Sequence, residues 1–253
     1  MRLIDLSAPI RPDSPEVPEV LRTEIEFEDH ADGAETIKQM LGVGPELLRD
    51  GEGWATETFL RFGTHNSTHV DAPWHYNSTI GGEPAQTIDQ LPLEWFFAPG
   101  VIVDAGDRED GEELTGADMR ERLPRALEPL DIVLVRTGRD EFYGQLDYLG
   151  RGPGVSAEAT RWLYDQGVRV MGIDAWGWDA PLYMQAERAK QSGERGVFWA
   201  AHQMDLSYSQ IERLCKLDEL PPQGFQVACF PLRIEGASAA PARVVALLDG
   251  DSG

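Results

Sequence analysis

Six short runs rich in β-branched residues punctuate this chain, and the helical patterns between them restrict the fold class more than any other feature. Leu3–Leu6, Gly100–Val103, Ile132–Val135, Val168–Ile173, Gln226–Cys229 and Val244–Leu248 are each bounded by turn-forming residues, as strands are. Helical patterns fall between several of them, at Gly116–Leu123 and at Ser156–Gln166, where Ser156 stands at the cap position and Glu158 in the first turn. Strands interleaved with helices make an α/β protein. No repeat, low-complexity tract or Pro/Gly-rich linker breaks the pattern, so one domain spanning 1–253 is expected. Val17–Gly53 alone resists assignment. It is acidic and polar, too long for an economical loop, and reads as an arm against a partner subunit, a cover over a site, or an ordinary surface excursion.

Charge and hydropathy exclude whole classes of function. Against 44 acidic residues there are only 22 basic ones, a formal charge of -22, which repels nucleic-acid phosphates and anionic lipid at long range. No nucleic-acid partner is expected. No run of about 18 apolar residues is present to span a bilayer, and Met1–Ser7 lacks the apolar core of a signal peptide and reads as a first strand. A cytoplasmic protein with no membrane partner is the expectation. Cys215 and Cys229 are read as free core thiols, too few for a thiolate metal site.

Three of the five histidines fall within the eleven residues from His65 to His75, in the segment Phe62-Gly63-Thr64-His65-Asn66-Ser67-Thr68-His69-Val70-Asp71-Ala72-Pro73-Trp74-His75. Imidazole and carboxylate are the nitrogen and oxygen donors that Zn²⁺, Mn²⁺ and Fe²⁺ accept, and three protein ligands leave room for water. His65, His69 and Asp71 form such a set. Thr68, Val70 and Pro73 speak against a helix here. An extended Val70–Pro73 instead places His69 and Asp71 on one face, with His65 brought back by a turn at Asn66-Ser67. A lone histidine would be explained better as part of a solvated loop; this cluster in a histidine-poor chain is not.

The segment resembles the signature of the metal-dependent cyclase-type hydrolases, the family of bacterial kynurenine formamidase, isatin hydrolase and trans-dienelactone hydrolase, whose motif runs His-x-Gly-Thr-His-x-Asp-x-Pro-x-His. Ser67 stands in the glycine position, which touches a left-handed turn residue and leaves the ligands intact. The similarity extends to Ile4-Asp5-Leu6-Ser7, to Gly172-Ile173-Asp174 with Trp176 and Trp178-Asp179, and to Gln210–Leu214, Phe230-Pro231-Leu232 and Gly236–Arg243. The resemblance implies the swivelling β/β/α fold of the kynurenine formamidase-like proteins. It also implies metal binding by His65, His69 and Asp71, a catalytic base or further ligand in His75, and an active-site histidine in His202. Family members carry a metal-binding glutamate twelve residues beyond that histidine; here Glu212 lies ten beyond. Glu212 is therefore a candidate ligand, with Gln210 a competing polar candidate and a solvated helix residue beside Arg213 the bland alternative.

The expected activity is hydrolysis, by metal-activated water, of a carbon–nitrogen bond in a small cyclic amide or aryl formamide. A lactone or other ester is the alternative substrate, and a metal-containing binding protein without turnover the alternative class. Phe62, Trp74 and Trp178 are read as lining a pocket for a flat aromatic or cyclic substrate, although core packing is the commoner fate of Trp176, Trp178 and Trp199. Asp174 and Asp179 flank the Trp-Gly-Trp turn and could equally be loop carboxylates. No serine elbow competes, because Ser238 in Gly236-Ala237-Ser238-Ala239-Ala240 lacks the second glycine. One or two Zn or Mn ions per chain and a homodimer or homotetramer complete the expectation.

Overall fold

The computed structural model describes residues 1–248. They form two compact units, Ile10–Asn66 and a larger one made of Met1–Pro9 with the chain from Ser67 onward.

The larger unit is built on a nine-stranded sheet. Its strands are β1 (Arg2–Asp5), β4 (His69–Asp71), β5 (Phe97–Asp104), β6 (Ile132–Arg136), β7 (Val170–Ile173), β8 (Ser209–Glu212), β9 (Gln223–Ala228), β10 (Ala239–Pro241) and β11 (Val245–Leu248), in the spatial order β1-β11-β9-β5-β6-β7-β8-β4-β10. β2 (Glu24–Glu28) and β3 (Thr56–Arg61) belong to the other unit. The central four, β5 to β8, run parallel. They are joined by crossovers containing α3 (Gly116–Arg122), α4 (Ala157–Asp165) and α5 (Leu182–Ser192), as parallel pairing demands. All remaining pairings in this sheet are antiparallel.

β6 shows why the fold class was readable. Ile132 and Leu134 bury on one face while Val133 and Val135 bury on the other, against Met119 of α3 and Ala159 and Leu163 of α4. A strand covered on both sides needs an unbroken apolar run. Helix α4 starts where expected, with the Ser156 hydroxyl accepting the Ala159 N–H at 3.1 Å. By contrast, α5, β8 and β10 were not expected from the sequence. Helix α5 buries only Gln185, so it lacks an apolar stripe, and β8 carries polar residues on a buried face.

The polar stretch Val17–Gly53 is not a structureless excursion. Within its own unit, β2 (Glu24–Glu28) pairs antiparallel with β3 (Thr56–Arg61), and α1 (His30–Leu41) follows β2. Asp29 caps that helix by accepting the Ala31 and Asp32 N–H groups, Asp32 returns a bond to the Asp29 N–H, and Gly42 ends the helix in the left-handed conformation. Phe27 and Phe59 lie on one face of the strand pair and are each more than half exposed. Among the described residues no helix is long and apolar enough to cross a membrane.

One close approach fixes the loop that follows β7. The Trp178 carbonyl accepts the Val155 N–H at 2.8 Å, and a Cβ on Gly154 would lie 2.0 Å from the Ala180 nitrogen. Backbone is the neighbour, so it cannot swing aside. Gly154→Ala is expected to lower stability by about 1–3 kcal/mol, the usual cost of overpacking, read as an earlier urea-unfolding midpoint. A midpoint equal to wild type would contradict this packing.

Candidate metal centre

Strand register assembles the centre. His69 and Asp71 sit two apart on β4 and so share a face, and β8 pairs with β4 such that Glu212 lies opposite His69. A ligand atom of each lies within 4.8 Å of the others, and all three residues are buried. His69 Nε2 is 3.3 Å from Asp71 Oδ1 and 3.6 Å from Glu212 Oε2. On the other side of β4, Ala239 and Pro241 of β10 face Asp71 and His69. Small residues crowd the ligands least there, and a proline costs nothing at a sheet edge.

The chain entering β4 is fastened by the motif's own hydroxyls. Ser67 stands at φ +58°, the left-handed region that suits glycine, and its Oγ donates to the Ala8 carbonyl at 2.9 Å. Serine thus keeps the turn, held by a bond glycine could not make. Thr68 Oγ1 accepts the Ala8 N–H and donates to the Arg213 carbonyl, which ties β4 to the residue after Glu212. The Ser67 carbonyl, 2.9 Å from His69 Nδ1, can only accept, so Nδ1 carries the proton and Nε2 presents its lone pair.

That tautomer makes the donor set a metal site in character. A lone pair and two carboxylates converge where water is excluded, and like partial charges at such distances are reconciled by a cation. The nitrogen and oxygen donors fit a divalent metal.

His202 stands beside them. Its Nε2 is 3.4 Å from Glu212 Oε1 and 4.0 Å from Asp71 Oδ2, and its Nδ1 is 2.5 Å from Asp179 Oδ2. Asp179 also accepts the Ala201 N–H, fixing the segment that carries the histidine. Glu212 is oriented by the Trp178 N–H at 3.0 Å. In the metal-free protein burial opposes the His202 imidazolium, but the carboxylates of Asp179 and Glu212 outweigh it and raise its pKa to about 10. Burial would push the Glu212 carboxyl up; the hydrogen bond from His202 prevails and holds it below its ordinary range.

Aromatic rings enclose this pair. Trp199 stacks on His202 with centroids 4.5 Å apart and planes 19° from parallel, His75 meets Trp199 edge-on at 5.0 Å, and Tyr76 meets His202 edge-on at 5.4 Å. His75 and Tyr76 lie on α2 (Pro73–Tyr76), one helical turn that Pro73 begins. The expected extension therefore ends at Ala72, and it is helical geometry that turns His75 back, with a ring nitrogen within 4.8 Å of an Asp71 oxygen.

The structure thus gathers His69, Asp71, Glu212, His75 and His202. His65 and Phe62 belong to the Ile10–Asn66 unit. Glu212 is a buried strand residue and not a solvated helix residue. Gln210, two residues before Glu212 on β8, is also buried, and its Nε2 donates to the Tyr208 hydroxyl at 2.6 Å. Trp74 is 45% exposed. The Trp178 indole is fully buried and donates to Thr160 on α4, so what Trp178 offers the centre is its backbone N–H, not its ring. Sequence reasoning did not assign Tyr76, and it left Asp179 and Trp199 undecided; only Tyr76, next to His75, carried a local signal.

Known proteins resemble this arrangement over most of the chain. The sequence pattern of the family described as "Putative cyclase" matches residues 4–180. Kynurenine formamidase of Maricaulis maris is 27% identical over 247 residues, covering 96% of this chain and 97% of that protein. The kynurenine formamidase of Salinibacter ruber is 28% identical over 204 residues, 74% and 77% of the two chains. Isatin hydrolase A of Ralstonia solanacearum superimposes with a TM-score of 0.73 at 26% identity over 98% of this chain and 92% of its own. Isatin hydrolase A of Labrenzia aggregata, bound to benzyl benzoate, gives 0.73 at 25% identity over 98% and 94%.

A pKa raised in the folded chain stabilises the fold fully below the unfolded value of about 6.5, and that contribution fades as pH climbs toward about 10. The melting temperature of metal-free protein is therefore expected to fall between these limits, less steeply in Asp179→Asn, whose His202 ring should titrate lower by NMR. An unshifted titration in Asp179→Asn would contradict the pairing.

Proposed function

The chain belongs to the cyclase family, and from that premise we propose that it is a metal-dependent hydrolase of a carbon–nitrogen bond in a small cyclic amide or aryl formamide. The observation that carries this reading is the buried convergence of His69, Asp71 and Glu212 beside the Asp179–His202 pair. The relatives named for kynurenine formamidase and isatin hydrolase support the substrate class.

In this reading His69, Asp71 and Glu212 hold one Zn or Mn ion together with His65, whose place rests on its position four residues before His69. A bound divalent metal supplies Lewis acidity, which polarises a carbonyl and makes water a nucleophile near neutral pH. The protein's own groups handle the protons. His75 takes a proton from the attacking water. His202, held by Asp179 through Nδ1, presents Nε2 toward the centre to steady the developing oxyanion, and His75 returns the proton it took to the departing nitrogen. His75, Tyr76 and Trp199 offer flat apolar surface to a planar substrate, with the half-exposed Trp74 beside His75 in the chain. A cytoplasmic location fits the two free cysteines. The exposed Phe27 and Phe59 support a homodimer or homotetramer in which a second copy covers that face.

Alanine at His69, Asp71 or Glu212 is expected to remove metal and turnover together while leaving the protein folded. His75→Ala should keep its metal and lose roughly 10²- to 10⁴-fold in rate, the worth of a positioned acid–base group. Elemental analysis and acid release from a panel of aryl formamides, lactams and lactones read both. If His75→Ala and Glu212→Ala each lost one equivalent of two, His75 would be a ligand of a second ion. Light scattering at micromolar concentration should give at least twice 28.1 kDa; a monomer would contradict the assembly.

A further inference from the structure

Gln185 lies on α5, distant in sequence from the metal centre, yet its amide joins both segments that carry the proton-handling pair. The side chain is 3% exposed. Its Nε2 donates to the carbonyl of Ala180, the residue after Asp179, and its Oε1 accepts the Trp199 N–H at 2.6 Å. Trp199 stands at φ +62°. A bulky side chain adopts that conformation at a cost in free energy, and it persists only where its surroundings impose it.

The imposed conformation has a clear product. It lays the indole on the His202 ring, 4.5 Å away and 19° from parallel, with the edge of His75 on the indole at 5.0 Å. The Trp199 carbonyl accepts the Gln203 N–H at 2.9 Å, so the backbone is held on both sides of His202. From the other segment, Asp179 accepts the Ala201 N–H and holds the His202 ring. The partners of Gln185 are one backbone acceptor and one backbone donor. Only an amide side chain satisfies both at once; a carboxylate would turn an oxygen on the Ala180 carbonyl, and an alkyl chain would leave both groups bare.

We propose that Gln185 is a positioning residue for His202, acting by locking Trp199 in its left-handed conformation and binding that segment to the Asp179 loop. The catalytic consequence rests on the hydrolase reading above, whereas the structural one does not. Gln185→Leu keeps the bulk and removes both hydrogen bonds.

The first readout is the His202 ring C–H resonance in metal-free protein, assigned with His202→Gln and shifted upfield in wild type by the stacked indole. Gln185→Leu should move it toward the position of an exposed histidine. In the metal-loaded enzyme, kcat on an aryl formamide or aromatic lactam should fall about 10- to 100-fold, the scale of a misplaced catalytic group, with KM within about twofold. Leu163→Ala, a core variant that leaves both of these hydrogen bonds in place, should lose stability and yet keep the wild-type resonance and kcat. Wild-type resonance and kcat in Gln185→Leu would overturn the proposal. Should that variant fail to fold, Trp199→Gly suits the left-handed backbone and must lose the upfield shift; an unmoved resonance there overturns the proposal equally. Should wild type hydrolyse none of the panel, the hydrolase reading fails, and the resonance still decides the role of Gln185.

Discussion

Asp71 and Glu212 are carboxylates withdrawn from water, with oxygen atoms within 4.8 Å of one another and of a histidine nitrogen. Taking one such charge out of water costs several kcal/mol even after relaxation, and a second beside it adds repulsion. A sheet tolerates that arrangement only with positive charge among the acceptors. In the metal-free protein the His202 imidazolium supplies part of it; the His69 Nε2 lone pair beside the two carboxylates suits a divalent cation that would supply more.

The rest of the unit serves this constraint by placing rigid elements around it. β4 is short, but it is clasped between β8 and β10, and its entry is bonded to Ala8 and Arg213 through Ser67 and Thr68. The Trp178–Ala180 loop is seated on Gly154 and Val155 and reaches Glu212 with an N–H and His202 with a carboxylate. His69, Asp71 and Glu212 come from strands, His75 from the helical turn α2, and Asp179 and His202 from braced loops. A site built this way keeps its spacing through turnover, which suits acid–base chemistry that fails when groups drift by an ångström.

How much of this could be read from the sequence follows from where each signal resides. Ile132–Val135 was legible because burial on both faces leaves an unbroken apolar run. The convergence of His69 and Asp71 was legible because both donors lie on one short strand, so their spacing in the chain is their spacing in space. Glu212 was only half legible: its strand, Ser209-Gln210-Ile211-Glu212, points polar groups into a buried site and so hides the pattern that marks strands. Asp179 and Gln185 act on residues 23 and 14 positions away, at His202 and Trp199, across turns that no local pattern specifies. Trp199 is undecided from sequence because the core is the commoner fate of tryptophan; its left-handed backbone meets a partner on another element. Val17–Gly53 was opaque because its helix is polar, although the Asp29 cap and Gly42 stop were present in the sequence.

Calorimetric titration of Zn²⁺ or Mn²⁺ into metal-free wild-type protein asks whether His69, Asp71 and Glu212 form a cation site. Wild-type protein should bind at least one equivalent per chain saturably, displacing protons from the centre as the metal enters, and Asp71→Ala should show no such binding. Wild-type protein that takes up no metal, or an Asp71→Ala variant that binds as wild type does, would contradict it.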